Sequence, residues 1–261
     1  MIPRIIGVGS ESCQFGRLND DRLIRLEDRR LTLSRLLSRI DSIMPNQIAA
    51  FFDLDNTIIP GPAIERDYFL LLWRQGVVGA RDFFKSALWL MRKIPPFSLD
   101  PLRRHKPYLE GKSVATIESQ AQAFFWEKVC PRISEHARSA IEAHRAQNHH
   151  IVLLTGSPDF LVEPLATFLK IEQVAAGRLD RSGLVYTGHM IDPYPYRDGK
   201  RVVAEQLAAE RGLDLRQCYM YGDSPGDLPV LEAVGNPRVV NPIRGMARVA
   251  RRRGWPILRW R

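Results

Sequence analysis

The stretch FFDLDNTIIP, residues 51–60, decides how this chain is read. Apolar residues run from Ile48 to Phe52, Asp53 and Asp55 then stand two apart, and Asn56, Thr57 and the turn-forming Pro60-Gly61-Pro62 follow. One acid at a strand end is ordinary punctuation. Two repel each other and lose hydration, so the pattern asks for a cation to face them. The same kind of apolar run closing on polar residues recurs: after QIAAFFD (47–53) come HIVLLT (150–155), QCYMYGD (217–223) and RVVNP (238–242). Helix-period stretches lie between them, at 133–147, 159–170, 200–212 and 227–235. Near-continuously apolar strands alternating with helices predict an α/β fold with a parallel sheet covered on both faces. Such sheets bind ligands beyond the carboxyl ends of their strands, and Asp53, Thr155 and Asp223 all fall there.

The first two strands are too far apart for a single crossover. Residues 61–132 hold amphipathic helical patterns, YFLLLWRQGVVGARDFFKSALWLMRK and SVATIESQAQAFFWEKV, separated by a break at IPPFSLDP (94–101). The expected organisation is a core of 44–60 and 133–261 with a helical cap of 61–132 inserted after the two acids. Short strands with a turn at Arg181-Ser182-Gly183 are expected between 174 and 192. Residues 1–43 read as a loosely attached extension, helical in part or the product of an upstream start codon, because MPNQIAAFFDLD from Met44 makes a natural domain start.

Composition is that of a globular protein, with 45% hydrophobic and 26% charged residues. No uncharged run is long enough to span a bilayer, and the opening MIPRIIGVGSESCQFG has too short an apolar core for a secretion signal. Cys13, Cys130 and Cys218 form no CxxC pair, which fits a reducing cytoplasm and argues against a disulfide framework or zinc site. The net charge of +9 is concentrated in residues 238–261, which carry eight arginines and no acid, while the body is close to neutral. The reading preferred for that tail is a solvated arginine face on a last helix followed by a short strand, PILRW. A basic tail can also bind anionic surfaces weakly, but no aromatic-interleaved basic groove points to specific nucleic-acid binding.

DLDNT at the first strand end, Thr155 in LLTGSP, Lys200 in DGKRVVAEQL and Asp223 in GDSPGD (222–227) together resemble the four motifs of the haloacid dehalogenase superfamily. Placement of the helical insert between the first and second motifs resembles its phosphoserine-phosphatase-like subfamily IB. The resemblance covers about residues 46–260 and implies a Rossmann-like core, an α-helical cap and Mg²⁺-dependent hydrolysis of a small phosphorylated metabolite. Chemically, Asp53 suits the nucleophile that forms an aspartyl phosphate, and Asp55 suits the acid and base. The resemblance further implies Mg²⁺ ligation by the side chains of Asp53 and Asp223 and the backbone carbonyl of Asp55. Asp227 would support that arrangement, and Thr155, Gly156 and Lys200 would hold the phosphate.

Each assignment has a structural rival. Thr155 can cap the next helix, Lys200 can be a solvated helix-start lysine, and Asp227 can be a helix-start acid. His149 and His150 are expected to be surface or satisfied histidines, and Phe69, Trp73, Phe83, Phe84 and Trp89 to be cap core. The glutamate that phosphoserine phosphatases use for an ammonium group is replaced by Pro62, so Glu65 and Arg66, with the RRHK run (103–106), are the candidate substrate contacts. Alternative functions are a phosphotransferase or phosphomutase using the same intermediate, and a noncatalytic module working through its basic tail. No feature of the sequence sets an oligomeric state.

Overall fold

The computed structural model describes residues 47–93 and 103–261. The expected extension (1–43) and the whole of the break at 94–101 lie outside the described residues. Among the described residues seven strands form one sheet in the order β4-β3-β2-β1-β5-β6-β7. They are β1 (Ala49–Phe52), β2 (His150–Pro158), β3 (Gln173–Ser182), β4 (Val185–Ile191), β5 (Tyr219–Gly222), β6 (Asn236–Val240) and β7 (Ile257–Leu258). All neighbours pair in parallel except β3 and β4, which form an antiparallel hairpin turning at Gly183.

The apolar runs lack polar alternation because both sheet faces are buried. Phe52, Leu153, Tyr221 and Val240 face one core. It is shared with helices α1 (Ile64–Arg74), α3 (Val114–Phe124), α4 (Glu135–Ala146) and α5 (Asp159–Phe168). Phe51, Val152, Leu154, Met220 and Val239 face the other core, with α6 (Asp198–Arg211), α7 (Leu228–Leu231) and α8 (Met246–Arg253). Helix α2 (Ala80–Lys93) follows α1 in the segment between β1 and β2. Ser134 caps α4 by accepting a hydrogen bond from the Ala137 amide, and Gly212, in the left-handed region, ends α6.

The helix expected over 227–235 shortens to the single turn of α7. Its chain bends early to bring Gly235 against the Leu215–Arg216 backbone, where a Cβ would collide with the Arg216 carbonyl at 1.7 Å. The basic tail is built into the fold: β7 pairs with β6, and Trp260 is buried and stacks on Tyr221.

The segment between β1 and β2 hydrogen-bonds to the outer edge of β4. Lys106 N donates to Gly188 O, Gly111 N to Tyr186 O, Val114 N to Leu184 O, and Tyr186 N returns a bond to Lys112 O. The hairpin edge is therefore covered. The aromatic stripe is only partly core, because Phe69 packs edge-on against Tyr108 whereas Trp73 and Phe84 are exposed. The side chains of Phe83 and Trp89 lie outside the described residues. Among the described residues no helix is long and apolar enough to cross a membrane.

Candidate active site

Asp53 directly follows β1, and its amide donates to Tyr221 O at 2.9 Å, so the central ladder fixes the backbone. Lys200, on the first turn of α6, donates to Asp53 Oδ1 and to Asp227 Oδ1, both at 2.5 Å. Its exposure is 5%, which excludes the solvated-lysine reading. Burial alone would lower its pKa, but Asp227 and Asp53 outweigh that and hold it above the ordinary lysine value.

Asp227 is completely buried and stands at the start of α7 without capping it. Its Oδ2 instead accepts from Asp223 N (3.2 Å), Ser224 N (3.1 Å) and Ser224 Oγ (2.9 Å). Gly222 makes this return possible, since a Cβ there would lie 2.6 Å from Asp227 Cβ.

Asp223 accepts from Asn56 Nδ2 at 2.8 Å, and the same amide donates to Asn241 O at 2.9 Å. Asn241 Nδ2 answers with a bond to Asn56 O at 2.9 Å. Asn56 sits at φ 58°, a left-handed conformation that asparagine tolerates better than most residues. Nothing in the sequence singles out Asn56 for this role. The partners of its Nδ2, Asp223 and Asn241, lie far along the chain, and the local signal is only an amide placed directly after Asp55.

Burial raises the Asp53 carboxyl well above the usual range, and Asp227 adds to this, with Lys200 opposing. Burial and then Asp227 push Asp223 up to about 6. Burial also raises Asp55, against hydrogen bonds from Ile64 N (2.8 Å) and Ser157 Oγ (2.9 Å). The site is therefore short of positive charge. Carboxylate oxygens of Asp53, Asp223 and Asp227 lie within 4.8 Å of one another. An all-oxygen donor set of this kind fits a hard divalent cation such as Mg²⁺. Because Asp227 already accepts four hydrogen bonds, Asp53 and Asp223 are the side chains with capacity to hold one.

Strand β2 does not end at Thr155 as expected. It continues to Pro158 through a bulge that sets residues 155–157 outside the ladder between Leu154 and Pro158. Thr155 Oγ1 accepts from Ser157 N at 3.1 Å, while α5 starts after Pro158, so Thr155 does not cap that helix. Gly156 lines the cavity, and an added Cβ would meet protein atoms only at ordinary contact distances from 3.4 Å. Packing alone thus does not demand glycine there.

Asp53, Asp55, Asn56, Thr155, Gly156, Lys200 and Asp223, but not Asp227, line one cavity of about 320 Å³ together with Glu65, Arg103, Tyr194, Tyr196, Arg197 and Arg244. Arg66 is not among its lining residues. It is exposed and pairs with Asp67 at 3.4 Å, since neighbouring helix positions point about 100° apart and Glu65 takes the inward one. The histidines are satisfied: His149 Nδ1 meets His144 Nδ1 at 2.8 Å and His150 Nε2 meets Gln47 Oε1 at 2.7 Å.

The family model of haloacid dehalogenase-like hydrolases matches residues 50–232. A protein of Mycobacterium tuberculosis named a probable phosphatase is 35% identical over 218 residues, covering 80% of this chain and 74% of the relative. A phosphoserine phosphatase of the same organism is 28% identical, covering 80% and 70%. Among solved structures, a protein of unknown function from Bordetella pertussis superposes with a TM-score of 0.70 at 25% identity, covering 82% of this chain and 99% of that one. A phosphoserine phosphatase captured as a phospho-aspartyl intermediate analogue has the same fold, with a TM-score of 0.56 at 17% identity over 83% of this chain and 95% of that one.

Proposed function

The chain belongs to the haloacid dehalogenase-like hydrolases and is a phosphatase, and from that premise we propose a Mg²⁺-dependent phosphomonoesterase that works through an aspartyl phosphate on a small phosphorylated metabolite. The observation that carries the reading is the pairing of two acids in different states of engagement. Asp53 has Oδ1 tied to Lys200 and Oδ2 without a hydrogen-bond partner among the described residues. Asp55 is held by Ile64 N and Ser157 Oγ.

In the first step Asp53 Oδ2 attacks phosphorus and the bond to the leaving oxygen breaks, as Asp55 gives that oxygen a proton. In the second, Asp55 takes a proton from water, which attacks the same phosphorus and releases phosphate and free Asp53. The raised pKa of Asp55 suits the first role, because it keeps the carboxyl protonated at higher pH than an exposed aspartate. Lys200 and the bulge residues Thr155 and Gly156 hold the phosphate oxygens. Bound Mg²⁺ offsets the charge that the acids and the phosphate bring together. The helical segment 61–132 acts as a cap that selects the substrate and limits bulk water.

The test is phosphate release from a panel of phosphomonoesters with and without Mg²⁺, beside Asp53→Asn and with added alcohols as acceptors. Release that needs Mg²⁺ and vanishes in the variant supports the reading. Equal release by Asp53→Asn overturns the nucleophile, and phosphate transferred to the alcohols rather than water makes the protein a phosphotransferase.

A further inference from the structure

Above its floor the cavity changes sign. Asp53, Thr155, Lys200 and Asp223 are buried and form the floor, whereas Arg103, Arg197 and Arg244 line the same cavity from exposed positions at its mouth. Apart from Asp53, Asp55 and Asp223, Glu65 is the one acid among the lining residues, and it is already engaged. The buried Lys106 ammonium forms a short ion pair with Glu65 Oε1, and Tyr108 OH donates to the same oxygen at 3.2 Å. An ammonium group entering the cavity therefore meets a neutralised carboxylate.

The arginines differ in the same way. Arg104 is paired with Asp192 at 3.0 Å. Arg103 and Arg244 have no ion pair or hydrogen bond to an acid among the described residues. Arg103 is nonetheless positioned, because its guanidinium lies over the Tyr196 ring at 4.6 Å. Tyr196 stacks on Tyr194 at 5.9 Å, and Tyr194 OH donates to Gly156 O at 3.1 Å. Two rings thus tie a cation at the mouth to the bulge that faces the phosphate.

Resting on the phosphomonoesterase reading, we propose that the leaving-group end of this cavity binds a second oxyanion on the substrate through Arg103 and Arg244. Lys106, by holding Glu65, makes the same end reject an ammonium. The substrate class is then a short phosphomonoester that carries a further carboxylate or phosphate and no positive charge.

Calorimetric titration of the full chain with Mg²⁺ and non-hydrolysable phosphonates tests this without requiring turnover. The probes are 3-phosphonopropionate, propane-1,3-diphosphonate, propylphosphonate and 2-aminoethylphosphonate. The two probes with a second anionic end are expected to bind about tenfold more tightly than propylphosphonate, and 2-aminoethylphosphonate more weakly than it. Which of the two binds better decides between carboxylate and phosphate. Arg103→Ala and Arg244→Ala, both at exposed positions, should each shrink that tenfold ratio toward one. Lys106→Gln should improve 2-aminoethylphosphonate relative to propylphosphonate by freeing Glu65; if that buried change fails to fold, the arginine ratios still decide.

The proposal is overturned if 2-aminoethylphosphonate binds best. It also falls if the arginine variants weaken all four probes equally, which would mean that the arginines only screen the phosphate. Hydrolysis of p-nitrophenyl phosphate, measured in parallel, separates the two readings. Turnover without the binding preference removes the second-anion site alone, and the preference without turnover removes the phosphatase assignment alone.

Discussion

Replacing Lys200 by methionine removes the cation that bridges two buried acids, and the cost can be worked from the contacts. Lys200 donates to Asp53 and Asp227 at 2.5 Å each, with Asp227 fully buried. Charge-assisted hydrogen bonds contribute about 1.5–3 kcal/mol apiece, and the methionine no longer has to desolvate an ammonium. Removing one partner from a buried ionic cluster costs about 3–5 kcal/mol, so about 4 kcal/mol is expected for Lys200→Met. In a protein of this size that lowers Tm by about 8–16 °C, taking about 2–4 °C per kcal/mol.

Urea and thermal unfolding of both proteins in EDTA at pH 7.5 measure the difference. Added Mg²⁺ should then recover part of the loss, since a cation that binds only the folded chain stabilises it. The pH dependence has a definite sign. Asp53 already binds its proton more tightly folded than unfolded, and without Lys200 it does so further. The folded variant therefore holds more protons than its unfolded chain, and its deficit should narrow as pH falls toward 5. A variant within about 1 kcal/mol of the parent in EDTA would refute this account, because the least expected effect is about 3 kcal/mol.

Three further outcomes are expected. His144, buried against Tyr221 and His149, has its pKa lowered to about 4 by burial first and then by His149 and Arg238. Its unfolded form binds more protons between about pH 6.5 and 4, so folding should lose up to about 3 kcal/mol as pH falls through that window. Urea titrations at pH 7 and 4.5 should show a smaller loss in His144→Gln, a comparison that cancels the other titrating groups. Gly222→Ala should cost about 1–3 kcal/mol and abolish phosphate release, because Asp227 is pinned and cannot yield to the new methyl group. Asn56→Gly should keep the backbone turn but lose the bond to Asp223, weakening Mg²⁺ affinity about tenfold. Asn56→Ala should do the same and lose about a further 1 kcal/mol of stability to left-handed strain, read by Mg²⁺ titration and chemical unfolding.

The central strands and the acids at their ends were legible because the signal is local. QIAAFFD and MYGD each carry an apolar run and the acid that closes it within a few residues. The supporting groups were not, because their reasons are distant. Asn56 matters through Asn241, 185 positions away, and the bulge at Thr155 exists only once β2 pairs with β3. Glu65 and Arg66 looked interchangeable in the sequence, and only the phase of α1 sends one to the cavity and the other to solvent. The neutralising role of Lys106 was hidden in the RRHK run, where three cations and a histidine stand side by side. In the structure they differ: Arg104 and Lys106 are ion-paired, His105 is buried, and Arg103 lies on an aromatic face.

The backbone bonds joining residues 106–114 to β4 bear on how such a chain can be recombined. A chimera that takes only residues 61–132 from a relative must meet Gly188, Tyr186 and Leu184 in the same register, and a segment that does not leaves those backbone groups unmatched. It would also bare a strand edge able to recruit other chains, so the expected product is insoluble protein rather than a new specificity. The heritable module is the helical segment plus the Gln173–Ile191 hairpin, two pieces far apart in sequence that must be exchanged together.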